Sequence, residues 1–306
     1  MTHRLVLHRV LATVGLVVSL THGARAQDDI DARIREASRA LASAESPVGR
    51  LDERQRERVV EFVAGNALFT LSHEFGHVVI GDFNLPVLGR EEDAADSFAT
   101  LALLHVGTDF THRVLVDAAR GLLLVGERDR RMGVEPAFYD EHGLDQQRAY
   151  AIVCLMVGSD PPAFKDLARR ANLPEERQET CQLDFDQAKA SWMRLLEPHL
   201  RASSRPSFWE RLFTPRARLS AKPASSVEVA YGDAPGGLAP YRDLLRTIRL
   251  LEEVRDFATR NFDLPRRLTI EAKACGEPDA FWDPQERRIV LCYELLAVYA
   301  DLALRP

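Results

Sequence analysis

The clearest pattern of apolar and polar positions in the chain lies between residues 53 and 80. Apolar side chains recur there at intervals of three and four residues, which is the period of an α-helix. Both sides of this predicted helix are apolar, so we expect it to be buried over most of its surface. His73 and His77 lie four residues apart in this stretch and therefore project from the same face of the helix.

The rest of the chain alternates between helical and extended patterns. The helical period predicts further helices at 90–104, 110–125, 144–157, 187–200 and 241–261, and a short helix at the C-terminus. Strands are expected at 226–231, 268–275 and 288–292, with a turn through 276–285 before the last of them. The sequence therefore predicts an α+β fold that is mostly α-helical, with a small antiparallel β-sheet contributed by the C-terminal part.

Residues 1–26 have the pattern of a signal peptide. Arg4 and Arg9 make a basic start, an apolar run follows at 10–20, and Ala-Arg-Ala at 24–26 forms a cleavage signal. The run is too short to span a bilayer permanently, and no cysteine lies near the cleavage site, so no membrane anchor is expected after cleavage. The mature protein is therefore expected to be exported and either periplasmic or secreted.

The charge of the remaining chain limits the partners to expect, and its composition indicates how it is organised. Cleavage would remove three arginines and no acid, which changes the formal net charge from −6 to −9. An acidic surface without a basic tract gives no reason to expect nucleic acid as a partner. Composition and pattern divide the mature chain into four parts. Residues 27–50 form a polar lead-in, which is either a docked helix or a mobile segment, and residues 51–200 form a helical part that contains His73 and His77. Residues 201–240 form a linker or loop rich in Pro, Ser and Gly, and residues 241–306 form a helix–strand–strand–helix segment.

All four cysteines belong to the mature part of the chain. An even number of cysteines in an exported protein favours two disulfides over free thiols. Four cysteines allow three pairings, and their grouping into two local pairs along the chain suggests Cys154–Cys181 and Cys275–Cys292. The second disulfide would then join the two ends of a hairpin.

The helical histidines belong to the pattern H-E-x-x-H, which is formed by His73, Glu74 and His77. A second predicted helix carries E-x-x-A-D, in which Glu92 can supply a third metal ligand and Asp96 can accept the far N–H of a ligating histidine. Two histidines, one glutamate and an open fourth position describe a catalytic zinc site with one ion per chain. The alternatives are a coincidental pair of histidines and an acidic first turn favoured by the helix dipole.

Residues 138–148 are unusually dense in polar and ionisable groups for a segment that enters an apolar helix. Such density often serves only helix capping and salt bridging. It is equally consistent with a cleft wall that donates a hydrogen bond to a developing oxyanion. His142 is then the first candidate catalytic donor, followed by Arg148, Tyr139 and Tyr150.

Several long motifs of the chain resemble those of a bacterial family of zinc metallopeptidases that is catalogued as a domain of unknown function. These motifs lie at 71–104, 140–148, 158–161, 275–282 and 292–295. The resemblance implies a zincin-like metallopeptidase core, with His73, His77 and Glu92 as zinc ligands and Glu74 as the catalytic base. The site is also similar to that of gluzincins, in which an acidic residue follows the ligating glutamate by four positions. The resemblance implies no particular substrate.

Together these features favour an exported zinc peptidase that hydrolyses peptide or protein substrates. In this mechanism zinc activates a water molecule and Glu74 accepts its proton as general base. One alternative is a zinc amide hydrolase that acts on cell-wall crosslinks or short peptides. Another is a non-catalytic metal-binding scaffold, although such a protein has no reason to keep Glu74.

The order of the elements suggests where the substrate would bind. In many zincins a sheet precedes the H-E-x-x-H helix, and its edge strand pairs with the substrate backbone, but no convincing strand precedes His73 here. We therefore expect the C-terminal segment to supply this edge, with Asp279, Ala280 and Phe281 as the substrate-binding residues. The alternative is a self-contained C-terminal hairpin that lies far from the metal.

Overall fold

A computed structural model of the chain describes residues 29–42, 46–201 and 226–305. The expected signal peptide at 1–26 and most of the expected linker at 201–240 lie outside these ranges. Helices dominate the described residues, and four strands in the C-terminal part form one sheet, which confirms the α+β fold. Among the described helices, none has the length and apolar character that crossing a membrane requires.

The N-terminal part is a set of helices packed around one long central helix. Residues 29–41 form helix α1, whose Ile30, Ile34 and Leu41 are buried, so this part of the lead-in is a docked helix. The following helices are α2 (Glu53–Phe83), α3 (Glu91–Val106), α4 (Asp109–Arg131), α5 (Asp145–Ser159), α6 (Pro161–Arg170), α7 (Glu175–Gln178) and α8 (Cys181–Leu196).

Helix α2 is the central element and is buried over much of its length. It begins at a capping box, in which the Asp52 side chain accepts the backbone N–H of Gln55. Gly76 allows α3 to approach closely, because a Cβ atom at this position would lie 3.1 Å from the Cα of Ala95. The two helices therefore meet close to His73 and His77, the metal ligands predicted from the sequence.

The C-terminal part consists of β1 (Val227–Tyr231), α9 (Ala239–Ile248), α10 (Leu250–Asn261), β2 (Leu268–Lys273), β3 (Ala280–Asp283), β4 (Arg288–Cys292) and α11 (Tyr293–Leu304). The prediction of a single helix at 241–261 is wrong. Arg249 adopts a left-handed conformation with φ of 65°, and its N–H bonds to the carbonyl of Leu245, which ends α9 one residue before α10 begins. Neither Gly nor Pro marks this break in the sequence.

The sheet is mixed, so the expected antiparallel sheet is wrong in this respect. Its strand order is β1-β2-β4-β3; β1 and β4 both pair parallel with β2, and β3 pairs antiparallel with β4. Strand β3 lies inside the segment that was expected to be a turn. It runs opposite to β2, and the chain reverses again after it, so β4 runs in the same direction as β2 and lies between β2 and β3.

Both disulfides have the pairing that the sequence suggested. Cys154–Cys181 joins α5 to the start of α8. Cys275–Cys292 links the C-terminal ends of the parallel strands β2 and β4, rather than the two ends of a hairpin. The C-terminal part contacts the central helix through α10, α11, β3 and β4, and Tyr299 Oη lies 3.0 Å from Thr70 Oγ1 across one of these contacts.

Candidate metal centre

His73, His77 and Glu92 converge on one point between α2 and α3. The Nε2 atoms of the two histidines are 3.2 Å apart, and the Glu92 carboxylate oxygens lie 3.1 Å from His73 Nε2 and 3.5 Å from His77 Nε2. A tetrahedral zinc ion with ligand distances of about 2.0–2.2 Å needs donor atoms about 3.3–3.6 Å apart. The spacing of these three groups therefore fits such an ion.

The partners of the far ring nitrogens decide which atoms face this point. His73 Nδ1 lies 2.7 Å from Asp96 Oδ1, and His77 Nδ1 lies 2.9 Å from Glu91 Oε1. A carboxylate can only accept a hydrogen bond, so each Nδ1 carries the proton and each Nε2 presents a lone pair in the neutral ring. Two lone pairs and the Glu92 carboxylate thus meet within hydrogen-bond distance, and this arrangement requires a proton or a metal cation between them.

Asp96 is held in the orientation that His73 needs. Arg148 donates from Nε to Asp96 Oδ2 at 2.7 Å and from Nη2 to Oδ1 at 2.9 Å. Burial alone would raise the pKa of Asp96, but the hydrogen bonds from Arg148 and His73 outweigh it and lower that pKa to about 2. Asp96 is therefore ionised throughout the physiological range and fixes the tautomer of His73.

Glu74 is buried beside the histidines, with 7% of its surface exposed. Burial raises the pKa of its carboxyl group to about 7, although the neighbouring His73 and His77 act in the opposite direction. A carboxyl group with such a pKa can exchange a proton near neutral pH, which is the property that a general acid–base catalyst needs. Burial would lower the pKa of His73, but its hydrogen bonds to Asp96 and Glu92 raise it to about 9, so protons compete with any metal for this site.

His142 reaches the centre from the loop between α4 and α5. Its Nε2 lies 2.7 Å from Glu92 Oε2, its Nδ1 lies 3.3 Å from Asp140 Oδ1, and its ring stacks on that of His73 at 6.1 Å. Burial would raise the pKa of Glu92, but hydrogen bonds to His142, His73 and His77 hold it far below its usual value. The half-exposed imidazole therefore lies beside the metal centre, in contact with the Glu92 carboxylate.

Strand β3 is an edge strand of the sheet and contacts α2. Cys292 donates from its backbone N–H to the carbonyl of Asp279. Alternation along an antiparallel pair then turns the backbone groups of Ala280 and Trp282 outward, away from β4. The Asp279 side chain accepts the N–H of Ala280 at 2.8 Å, and Phe281 is 38% exposed. The substrate-binding residues expected from the sequence therefore lie on or beside this outer edge.

The other candidate oxyanion donors have different surroundings from His142. Arg148 is occupied by Asp96, Tyr139 is 93% exposed in its loop, and Tyr150 packs against the core. Sequence reasoning did not assign a partner to His77, whose far nitrogen faces Glu91. The two consecutive glutamates at 91–92 were the available signal. The Glu92 carboxylate faces the metal centre, and the Glu91 carboxylate contacts Nδ1 of His77.

The family comparison agrees with this geometry. H-E-x-x-H followed by a glutamate from the next helix is a ligand pattern of metal-dependent hydrolases. The chain belongs to the DUF4344 family, whose description is “Putative metallopeptidase” and whose model matches residues 32–196 and 238–305. This confirms the resemblance of the motifs and implies a bound metal and a peptide or protein substrate. Searches of curated proteins and of solved structures found no match.

Proposed function

We propose that the chain is an exported zinc-dependent peptidase, with one zinc ion held by His73, His77 and Glu92. The observation that carries this proposal is the convergence of these three side chains, each of which is held by a further side chain. Carboxylates contact the Nδ1 atoms of His73 and His77, and His142 contacts the Glu92 carboxylate. Two imidazoles and one carboxylate at tetrahedral spacing suit zinc, and three protein ligands leave a position open for catalysis. Zinc bound there would polarise a scissile carbonyl group and make water more acidic.

Glu74 is the proposed general base. It takes the proton of the attacking water as the water oxygen bonds to the carbonyl carbon, and it passes this proton to the leaving amine as the C–N bond breaks. Its raised pKa, to about 7, suits both transfers at neutral pH. Asp96 and Arg148 contribute by holding the first histidine in position.

His142 is the proposed donor to the oxygen atom on which negative charge develops. Its Nε2 already lies 2.7 Å from an acceptor, Glu92 Oε2, at the rim of the metal centre. Its hydrogen bond to Glu92 raises its pKa above the usual value, which keeps a proton on the ring. A positioned donor of this kind stabilises a developing oxyanion more than it stabilises the neutral carbonyl group.

The proposed substrate is an extended polypeptide that pairs with the outer edge of β3. The outward backbone groups of Ala280 and Trp282 offer donors and acceptors to a peptide, and Phe281 offers a partly exposed apolar surface. Asp279 would release the N–H of Ala280 when a substrate carbonyl replaces its side chain. Because this pairing uses backbone groups, it does not depend on the side chains of the substrate.

A substrate screen with the purified mature chain tests this function. We expect zinc-dependent internal cleavage of an unfolded protein and of peptides, abolished by a chelator and restored by zinc. Cleavage confined to cell-wall crosslinks or short peptides would favour the alternative amide hydrolase. One bound zinc per chain without hydrolysis of any of these substrates would favour the scaffold.

The ligand set has its own test. Glu92→Ala should lose stoichiometric zinc, because it removes one of the three ligands. Glu91→Ala removes the adjacent carboxylate, which contacts only the far side of His77, and should weaken binding less. A Glu92→Ala protein that keeps zinc at wild-type affinity would overturn the ligand assignment.

Export is proposed from the leader pattern at 1–26 and is supported by the two disulfides, which form in oxidising compartments. N-terminal sequencing of protein recovered from outside the cytoplasm should begin at Gln27. Recovery of only the uncleaved chain from the cytoplasm would contradict this proposal.

A further inference from the structure

The end of the metal-binding helix is tied to the β3–β4 turn by a buried ion pair. Asp82, in the last turn of α2, has a side chain that is 1% exposed. Arg287 donates to both of its carboxylate oxygens, with 2.6 Å between Nη2 and Oδ2. The guanidinium group also lies 4.9 Å from the centre of the Trp282 ring. We call these three residues the Asp82 clamp.

Helix stability does not explain Asp82. A negative charge in the last turn of a helix opposes the helix dipole, and this turn of α2 contains no basic residue. Burying a carboxylate there is unfavourable unless a partner compensates for it. Arg287 is that partner, so the two residues are best understood as a contact between distant parts of the chain.

Turn chemistry does not explain Arg287 either. Its φ of 58° is left-handed, a conformation that Gly or Asn adopts at lower cost. The turn is already organised by the Asp283 side chain, which accepts the N–H groups of Gln285 and Glu286. An arginine is therefore placed in an unfavourable backbone conformation from which its side chain reaches both Asp82 and Trp282.

The clamp lies where β3 and the end of the metal-binding helix come together. Helix α2 ends at Phe83, one residue beyond Asp82, so β3 packs on the part of α2 that leads back towards Glu74. Glu74 and Asp82 are eight positions apart in the helix, which corresponds to about 12 Å along its axis. The four residues of β3 span about 10 Å, so a strand anchored at its Asp283 end can reach the level of the metal-binding turns.

We propose that Asp82, Arg287 and Trp282 form a positioning clamp that holds the substrate-binding edge strand in register with the metal-binding helix. This inference rests on the proposed peptidase function and assigns the clamp a role in substrate alignment rather than in chemistry. An extended substrate that pairs with β3 then has its scissile bond placed by a contact about two helical turns from Glu74.

Arg287→Gly is the informative variant, because glycine accepts the left-handed backbone. It removes the side-chain contacts with Asp82 and Trp282, together with an exposed hydrogen bond from Nε to the Arg267 carbonyl. Its matched control is Arg266→Ala, which removes a largely exposed arginine at 3.3 Å from the same carboxylate but outside the β3–β4 turn. Amide hydrogen exchange of residues 278–283 is measured in the full chain. We expect about tenfold faster exchange in Arg287→Gly and unchanged exchange in Arg266→Ala.

Kinetics then separate alignment from general stability. In Arg287→Gly, KM should rise about tenfold for peptides long enough to lie along β3, with kcat nearly unchanged, and Arg287→Lys should recover part of this loss. Peptides too short to reach the strand should show wild-type KM.

Unchanged exchange in Arg287→Gly would overturn the clamp, whatever the activity. Faster exchange with the same KM for long peptides would show that the clamped strand does not align substrate, and would overturn the positioning role. If the wild-type chain hydrolyses no peptide, the proposed function fails. The exchange comparison still decides in that case whether the clamp holds the strand.

Discussion

Arg148 donates two hydrogen bonds to Asp96, from Nε and Nη2, and Asp96 in turn accepts the Nδ1–H of His73. The side chains of Arg148 and Asp96 are 16% and 7% exposed, so the pair is largely shielded from water. This relationship extends the metal centre from α2 and α3 to α5. A ligand that is held in one tautomer and one orientation binds metal more tightly, because less order is lost on binding.

Asp96→Ala should therefore weaken zinc binding about 10–100-fold without removing a ligand. Zinc affinity is measured by competition with a chromogenic chelator. Asp93→Ala is the control, because Asp93 is an exposed carboxylate in the first turn of the same helix. Equal affinities of Asp96→Ala and wild type would contradict the role of Asp96. Asp96→Asn keeps the shape of the side chain and provides a second test if the alanine variant is unstable.

His142→Ala should lower kcat about 10²–10³-fold while zinc content stays at one per chain, because it removes a transition-state donor. Steady-state kinetics and metal analysis of the same preparation check both parts. Tyr139→Ala, at a 93% exposed position of the same loop, should leave both quantities unchanged. Loss of zinc in His142→Ala would show that this histidine holds the metal centre together instead.

Asp117 should make stability depend on pH. Burial raises the pKa of its carboxyl group to about 7 in the folded chain, with Glu61 adding to the effect, against about 3.9 when unfolded. Between these values the folded state binds the extra proton, so the contribution of Asp117 to stability falls as pH rises from about 4 to about 7. Asp117→Asn should gain stability over wild type at pH 8 and lose most of this gain at pH 4.

Urea unfolding at the two pH values measures this difference. Asp186→Asn removes an exposed carboxylate from α8 and should show no comparable change between them. A gain in Asp117→Asn that is the same at pH 4 and pH 8 would rule out the buried carboxyl group as its source.

The Cys154–Cys181 disulfide should contribute about 3 kcal/mol to the free energy of unfolding, since it closes a loop across a sequence separation of 27 residues. The double variant Cys154→Ala/Cys181→Ala should lose this amount in chemical unfolding. Peptide mapping without reduction should recover this pair and Cys275–Cys292. Free thiols or crossed pairs would contradict the connectivity.

The convergence of His73, His77 and Glu92 could be predicted from the sequence because much of it depends on local geometry. Four residues make about one helical turn, so H-E-x-x-H places His73 and His77 together wherever the helix lies. The third ligand followed from a second short motif, and the close approach of α3 had a visible signal in its alanines. The disulfide partners were likewise grouped along the chain.

Strand direction and long-range contacts had no such signal. The proximity of Cys275 and Cys292 was predicted, but a hairpin was inferred where a third strand intervenes and β2 and β4 run parallel. Asp82 and Arg287 are 205 residues apart in sequence, and nothing local distinguishes them from other surface charges. Arg148 was predicted to be a candidate oxyanion donor. Its actual partner, Asp96, lies 52 residues away in the sequence, so no local pattern connected the two residues.

Glu74→Gln, analysed for zinc content and peptide hydrolysis beside the wild-type chain, tests the central claim most directly. The substitution removes the proposed base and no ligand, and it preserves the size of the side chain. We predict one zinc per chain in both proteins and hydrolysis that is about 10²–10⁴-fold slower in the variant. Wild-type turnover by a zinc-loaded Glu74→Gln protein would contradict the account.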